Sequence, residues 1–156
     1  MTSKREAITM SDDEVTQMLT EVRTVTVCTI GPDGVPDPVA MWFVQDENGD
    51  LWMRTYAASQ KVRNLRRDPR VAVLADTGED YLSLRGVQFS GTMEVVTQED
   101  RICWVFAELM VKYSGLPRAD VAAVRESYRA KAARQVALRL CPSRTASWDH
   151  RKMAGG

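Results

Sequence analysis

Two tight turns in the first third of the chain constrain its fold more than any other feature. Residues 24–30 are β-branched and apolar, and Gly-Pro-Asp-Gly at residues 31–34 turns the chain sharply. A second strand is predicted at 39–44, Glu-Asn-Gly-Asp at 47–50 is typical of a hairpin turn, and 51–56 returns as a third strand. Successive hairpins predict an antiparallel sheet rather than parallel strands alternating with helices.

The rest of the sequence predicts helices and further strands. Apolar residues at helical spacing, or in alternating runs, define helices at residues 11–22, 59–67, 97–113 and 119–132 and strands at 70–75, 84–96 and 136–140. Ser11 followed by Glu14 forms a capping box that opens the first helix. Gly86 and Gly91 lie in the longest strand, where a bulge or bend is expected. About six antiparallel strands with helices on one side indicate an α+β barrel.

Length and composition indicate one globular domain spanning residues 1–156. The chain has 156 residues, which is enough for a single core. Lys plus Arg and Asp plus Glu are equal at 21 each, so no overall field attracts nucleic acid or an anionic membrane. We expect a cytoplasmic protein, because there is no membrane-spanning apolar run, no signal-peptide pattern and no disulfide framework.

Histidine and cysteine content argues against two common catalytic designs. His150 is the single histidine, and the three cysteines are far apart in the sequence. Zinc needs about four nitrogen or sulfur ligands, which this chain does not readily supply, so we predict no metal site. A Ser-His-Asp hydrolase is equally improbable, because no partner is placed near the histidine.

Residues 59–70 concentrate positive charge in a chain of zero net charge. Only Asp68 opposes the five cationic side chains of this segment, which are Lys61, Arg63, Arg66, Arg67 and Arg70. A local excess of this kind is typical either of an anion site or of a solvated helix that forms surface ion pairs. The residues alone leave these two interpretations equally open.

Helical phase separates this segment into two faces. Val62 and Leu65 are three residues apart and are expected to face the core, while Lys61 and Asn64 share a neighbouring polar face. Ser59 at the N-cap adds a hydroxyl group and unpaired backbone N–H groups. Together with the helix dipole and a lysine, these groups suit a phosphate.

Several segments spread along the chain match one known family in order. They are residues 29–36, Arg54 with Thr55, residues 59–61, residues 64–71, residues 84–87 and residues 147–152. Together they resemble the pyridoxamine-phosphate-oxidase-like superfamily. The last two resemble in particular its actinobacterial branch, often called probable coenzyme F420-dependent enzymes. The resemblance implies a six-stranded antiparallel split β-barrel, the FMN-binding split barrel, with flanking helices.

The resemblance also implies a cofactor groove at a homodimer interface. The phosphate would meet Ser59 and Lys61, with Asn64 close by and the strand end of Arg54 and Thr55 beside it. The ring would stack along residues 39–42, which would offer backbone hydrogen bonds, and a tryptophan would reach across from the other subunit. The implied cofactor-binding residues are Val39, Ala40, Met41, Trp42, Arg54, Thr55, Ser59, Gln60, Lys61, Asn64 and Trp148.

The implied activity is redox chemistry on a small molecule. Reduced F420 would deliver a hydride to an unsaturated or conjugated substrate, and no catalytic side chain is assigned. Tyr81 and His150 are the nearest candidates for a proton donor. An FMN-dependent oxidoreductase and a non-catalytic F420 or FMN carrier remain alternatives, because phosphate binding does not report catalysis. Oxidation of vitamin B6 is not expected, since the second strand lacks the basic residue of true oxidases.

The polyglutamate tail of F420 calls for cations beyond the phosphate site. The candidates in this sequence are Arg63, Arg66, Arg67, Arg85 and Lys112. Any one of them is as well explained by an ordinary surface charge.

Overall fold

A computed structural model of the protein describes residues 3–155. Its strands are β1 (Val25–Ile30), β2 (Pro36–Met41), β3 (Val44–Gln45), β4 (Leu51–Tyr56), β5 (Arg70–Thr77), β6 (Arg85–Val96) and β7 (Gln135–Asp149). Its α-helices are α1 (Lys4–Ile8), α2 (Asp12–Glu21), α3 (Gln60–Arg67), α4 (Glu99–Ser114) and α5 (Val121–Ala132). Three short 3-10 turns complete the described chain, at Tyr81–Ser83, Arg118–Asp120 and His150–Gly155.

All the strands join one antiparallel sheet in the order β2-β1-β5-β6-β7-β4-β3. The α+β split-barrel prediction is confirmed, with seven strands in place of six. The additional strand arises because the predicted strand 39–44 divides in two. Its first part stays paired with β1 up to Met41, whereas Val44 pairs with Trp52 of β4. Between them, the backbone of Phe43 bonds to a tyrosine side chain and leaves the ladder.

The last strand is much longer than the sequence predicts. A strand at 136–140 is expected, yet β7 continues through residues that read as a tail and pairs with β6 up to Asp149. Pro142 hides this continuation in the sequence, because proline is unusual inside a sheet. It is accommodated opposite Gly91, where the register shifts, as the glycine there predicts. A Cβ at Gly91 would lie 2.2 Å from the Cys141 carbonyl oxygen.

Gly86 is explained by packing rather than by a bulge. Its partner in β7 is Trp148, and the register is regular at this pair. A Cβ at Gly86 would lie 2.1 Å from the indole ring of Trp148. The glycine therefore makes room for the ring of Trp148, which occupies the space that a side chain at residue 86 would need.

Two hydrophobic clusters pack against opposite faces of the sheet. The larger one fills the barrel and takes in buried side chains of α2 and α3, including the predicted core residues Val62 and Leu65. The smaller one joins α4 and α5 to strands β3, β4, β6 and β7. Outward side chains of β1, β2 and β5, such as Thr26, Ala40 and Leu74, belong to neither cluster and stay partly or fully exposed. The outer face of these three strands is therefore covered by neither cluster.

Helix ends follow the local sequence signals. Ser11 accepts a hydrogen bond from the Glu14 N–H (3.3 Å), and the Glu14 carboxylate accepts one from the Ser11 N–H (2.7 Å), as predicted. Gly115 ends α4 in the left-handed region at φ 69°, which glycine adopts without strain. The five-residue helix α1 was missed from the sequence. Among residues 3–155, no helix is both long and apolar enough to cross a membrane.

Candidate functional site

The start of α3 leaves its backbone donors without an internal partner. Ser59 is the N-cap residue, as predicted, but its side chain makes no capping hydrogen bond and the first turn contains no acidic residue. The Arg63 N–H is the first to bond within the helix, to the Ser59 carbonyl at 3.2 Å. The three preceding N–H groups, at residues 60–62, therefore point out of the helix end with no capping side chain.

The Ser59 hydroxyl is itself an unusual feature of this helix end. Its Oγ is buried and has no hydrogen-bond partner among the described residues. A buried hydroxyl without a partner costs roughly 1–3 kcal/mol, so such groups generally have a ligand or a functional role. An oxyanion at the helix start would satisfy the hydroxyl and the free N–H groups together.

Lys61 contributes a positive charge beside this helix end. Its ammonium nitrogen lies 3.3 Å from the Thr55 hydroxyl at the end of β4, so the structure brings these two predicted residues together. Within the described chain, no carboxylate lies within ion-pair distance of Lys61. The side chain therefore retains unused donors and an uncompensated charge.

Ion pairing does not account for the basic segment. Arg70 pairs with Asp68 at 2.6 Å, and the hydrogen bonds from Arg70 lower the pKa of that carboxyl to about 2. Over residues 3–155, none of the remaining four cations of the segment, Lys61, Arg63, Arg66 and Arg67, has an ion-pair partner. The one ion pair that the described residues show in this segment involves Arg70, which lies in β5, so the interpretation as a helix held by surface ion pairs explains none of the cations of α3.

Asn64, in α3, has its side chain engaged within the chain. It is fully buried, and its amide nitrogen donates to the hydroxyl of Thr29 and to the carboxylate of Asp37, both at 3.0 Å. Its amide oxygen accepts from Gln60 and Arg67. Because all four hydrogen-bonding positions of the amide are used, Asn64 has none left for a cofactor. It instead fastens α3 to the β1–β2 hairpin, since Thr29 and Asp37 face each other in that ladder.

Arg54 makes its contacts with α5 and with the start of β7. Its guanidinium donates to the Tyr128 hydroxyl (2.6 Å) and to the Gln135 side chain (2.8 Å), and it lies over the Phe106 ring. Successive side chains of a strand point to opposite faces of the sheet, so Arg54 faces α5 while Thr55 faces Lys61. The structure therefore brings Thr55, but not Arg54, to the helix end.

The edge strand β2 presents an unusual set of backbone groups. The Gly31 N–H donates to the Val35 carbonyl, and hydrogen-bonded pairs alternate along an antiparallel ladder, so residues 37, 39 and 41 bond to β1. The backbone of Pro36, Pro38 and Ala40 then faces the open edge. Since proline has no N–H, Ala40 supplies the one outward N–H among the described residues of β2. The edge resists pairing with another strand but offers carbonyl oxygens and one donor.

Side chains of the predicted ring-binding run lie on both sides of β2. Val39 and Met41 face the barrel core, where Met41 is buried. Ala40 is exposed on the outer face. Trp42, which follows the strand, remains 52% exposed although its ring stacks on that of Tyr113. Backbone contacts are therefore what residues 39–41 can offer a ligand at this edge, with the Trp42 ring next to them.

Trp148 lies far along the sheet from β2 within one chain. It sits in β7, four places from β2 in the strand order, with its ring against Gly86. The proton-donor candidates are close by: His150 Nδ1 lies 2.7 Å from the Tyr81 carbonyl oxygen, and their rings are 4.6 Å apart. The structure gathers these residues with one another but not with Lys61 in the same chain.

The predicted tail-binding cations divide into two groups. Arg85 pairs with Glu21, Arg67 donates to the Ile30 carbonyl, and Lys112 donates to the Leu19 and Phe43 carbonyls. Arg63 and Arg66 stay exposed on α3. For a metal, the described residues contain no group of three or more His, Cys, Asp or Glu side chains able to hold an ion.

Comparison with known proteins identifies a relationship over nearly the whole chain. The pyridoxamine 5'-phosphate oxidase family matches residues 11–148. A conserved hypothetical protein from Mycobacterium tuberculosis has a similar crystal structure at 38% identity and a TM-score of 0.87, over 99% of this chain and 94% of that one. Among curated proteins, none matches significantly.

More distant structures share the fold. A protein named F420 reductase has 24% identity and a TM-score of 0.62 over 83% of this chain and 94% of that one. An FAD-binding protein from Mesorhizobium loti has 18% identity and a TM-score of 0.64 over 89% and 94%. At these identities the likeness concerns the split barrel itself.

Proposed function

We propose that this chain, which belongs to the pyridoxamine 5'-phosphate oxidase family, is an oxidoreductase that binds coenzyme F420. In this proposal it transfers a hydride from the reduced cofactor to a small unsaturated or conjugated substrate. The observation that carries the proposal is the start of α3, where a buried hydroxyl without a partner, free N–H groups and an unpaired lysine converge. Each of these groups favours a phosphate oxygen.

The residues of the helix end fit a cofactor phosphate. The Ser59 hydroxyl and the N–H groups of residues 60–62 would donate hydrogen bonds, and Lys61 would add a charge-assisted one. Thr55 lies within reach of the Lys61 ammonium and would complete the donor set. Gln60 would help at the rim, while Asn64 would act by fixing the helix. This donor set suits the phosphate of F420 and that of FMN equally.

The open edge of β2 supports the placement of the ring. The dione edge of a flavin or deazaflavin presents an N–H between two carbonyl groups. The Ala40 N–H and carbonyl provide a donor and an acceptor at the strand edge, and the Pro38 carbonyl provides a further acceptor. Trp42 would cover one side of the ring. Val39 and Met41 would shape the strand from the core side.

Two exposed arginines favour F420 over FMN. Arg63 and Arg66 lie on the same helix as the phosphate donors and have no carboxylate partner in the described chain. A polyglutamate tail would supply carboxylates, which FMN lacks. An FMN-dependent oxidoreductase is the second candidate, favoured by the fold likeness to an FAD-binding protein.

The protein's own contribution to the reaction would be binding and orientation. The cofactor supplies the hydride when it is bound. Ser59 and Lys61 would hold one end, and the Ala40 backbone and Trp42 would hold the ring, so that one ring face meets the substrate. No side chain of this chain is assigned as a catalytic acid, and the unsaturated substrate would take its proton from water.

A homodimer would complete the site. Most outer side chains of β1, β2 and β5 are small or apolar, including Thr26, Cys28 and Leu74, with the charged Arg70 and Asp76 near the ends of β5, and this face is left partly exposed in one chain. Burying this face against a second copy would bring the partner's Trp148 to the cofactor groove, which the Trp148 of the same chain does not reach. The protein would act in the cytoplasm.

The direct test is a titration of the purified protein with F420 and with FMN, followed by fluorescence quenching. We expect F420 to bind at least tenfold more tightly than FMN. Protein that retains a yellow flavin on purification and binds FMN more tightly would favour the second candidate. For turnover, bound reduced F420 should be oxidised by some member of a quinone and enone panel. No oxidation across the panel would indicate a carrier instead.

A further inference from the structure

The residue that follows Trp42 is held by the last turn of α4. The Tyr113 hydroxyl accepts a hydrogen bond from the Phe43 N–H (3.1 Å) and donates one to the Phe43 carbonyl (3.0 Å). The Lys112 ammonium donates to the same carbonyl at 3.2 Å. The Phe43 side chain is fully buried in the barrel core. Both the backbone and the side chain of this residue are therefore fixed.

Fixing Phe43 also fixes the ring of Trp42. The Trp42 and Tyr113 rings stack with centroids 4.4 Å apart and planes 5° from parallel. Tyr113 covers one face of the indole. The Trp42 side chain as a whole nevertheless remains 52% exposed. An exposed aromatic ring normally keeps its rotamer freedom until a ligand binds. Here the stack and the anchored neighbour remove much of that freedom beforehand.

We propose that Tyr113 is a positioning residue, which presets the plane of Trp42 as a stacking platform for a planar heterocycle at the β2 edge. The inference deepens the proposed function and rests on it. Tyr113 does not contact the ligand, because its hydroxyl is used by Phe43 and its ring lies against the indole. It lowers the ordering cost of binding by holding Trp42 ready.

Charges around the platform define the class of ring that it accepts. The Arg23 guanidinium lies 4.8 Å from the centre of the Tyr113 ring, and the Lys112 ammonium lies 3.6 Å from that of Phe43. Two cations beside the stack disfavour a cationic ligand. The platform therefore suits a neutral or anionic planar ring.

The test separates ring binding from phosphate binding. Tyr113→Phe keeps an aromatic ring for the stack and removes both bonds to Phe43. We expect it to weaken F420 and its phosphate-free deazaflavin fragment, or FMN and riboflavin where the flavins bind, by the same factor of about five, the size typical of ordering one side chain on binding. The ratio of the two affinities should stay constant. Near-ultraviolet circular dichroism should show a weaker tryptophan signal, as expected for a freed indole.

Tyr128→Phe is the matched control. It removes another tyrosine hydroxyl with a side-chain partner, the one bonded to Arg54, at a site away from β2. We expect both affinities to stay within twofold of the wild type. An equal loss in the two variants would show that general loosening, and not positioning, is responsible, and would overturn the proposal.

A second variant keeps the inference testable if Tyr113→Phe does not fold. Trp42→Leu leaves the Tyr113–Phe43 bonds in place and removes the platform, so riboflavin binding should weaken by at least the same factor. Unchanged riboflavin affinity in either folded variant would overturn the proposal that Trp42 is a stacking platform, but not the proposed function. A wild-type protein that binds neither FMN, riboflavin nor F420 would contradict the proposed function itself.

Discussion

Helices α2 and α3 both have a serine at the N-cap, but only the N-terminus of α2 is capped by a side chain. We call the uncapped N-terminus of α3 the open terminus. At α2, Ser11 and Glu14 cap each other and the first turn is acidic, so the helix supplies its own anion. At α3, the residue equivalent to Glu14 is Val62, which is buried in the core, and Ser59 caps nothing. Identical cap residues thus serve stability in one place and leave a site in the other. The difference lies in the third residue after the serine.

Closing the α3 terminus should have the largest effect. Ser59→Asp places a carboxylate at the N-cap, where aspartate caps helices well and interacts favourably with the dipole. We expect the free energy of unfolding to stay unchanged or rise by about 0.5–1 kcal/mol. Cofactor affinity should fall by roughly a hundredfold, because the carboxylate occupies the donors and repels the phosphate. Thermal denaturation and cofactor titration measure the two effects, and a variant that binds normally would show that the phosphate lies elsewhere.

Loosening α3 from its support should cost stability on a smaller scale. Asn64→Ala removes four hydrogen bonds and leaves the buried Thr29 hydroxyl and the Asp37 carboxylate without their donor. We expect the free energy of unfolding, measured by urea denaturation, to fall by about 2–3 kcal/mol. Gln60→Ala, in an exposed side chain, serves as the control and should change it by less than about 0.5 kcal/mol. Equal effects of the two variants would contradict the clamp role of Asn64.

Removing the charge at the open terminus should affect binding without affecting folding. Lys61→Ala loses a charge-assisted contact, so cofactor affinity should fall about tenfold or more while the melting temperature stays nearly constant. Lys131→Ala, an exposed lysine on α5, is the matched control for net charge and should bind as the wild type does. Equal losses in the two variants would mean that overall charge, rather than this site, attracts the cofactor.

The smallest effects should separate the two serines directly. Ser11→Ala breaks a capping box and should lower the free energy of unfolding by about 1 kcal/mol without changing cofactor affinity. Ser59→Ala removes a buried hydroxyl that has no partner, so the free energy of unfolding should rise, by up to about 1–3 kcal/mol, while cofactor affinity falls a few-fold. If both variants changed the free energy of unfolding and the cofactor affinity in the same way, the two helix N-termini would be equivalent, contrary to this account.

Local signals in the sequence were enough for most of the fold. Turn residues and β-branched runs predicted the hairpins, and the Ser11 box predicted the start of a helix, because each depends on neighbours in the chain. The second half of β7 was missed, since Pro142 is tolerated only because Gly91 faces it in another strand. That pairing lies between residues about 50 positions apart and leaves no local pattern.

The candidate site was predictable only in part, for the same reason. The spacing of Ser59 and Lys61 located the helix end, but not the saturation of Asn64 by two residues of the β1–β2 hairpin. The side chain of Arg54 points towards α5, because it lies on that face of β4 and bonds to Tyr128, and neither fact can be read from the local sequence. In the sequence, Tyr113 is simply the last residue of the predicted helix at 97–113. A tyrosine at a helix end gives no sign that its hydroxyl will hold a distant strand end.

The most direct test of the open terminus compares cofactors with and without their phosphate. Affinities of FMN and riboflavin, or of F420 and its phosphate-free deazaflavin fragment, would be measured for the wild type and for Lys61→Ala. We predict that the wild type prefers the phosphorylated ligand by about tenfold or more and that Lys61→Ala loses most of this preference while binding the phosphate-free ligand unchanged. An undiminished preference in Lys61→Ala would contradict the assignment of the α3 terminus as the phosphate site.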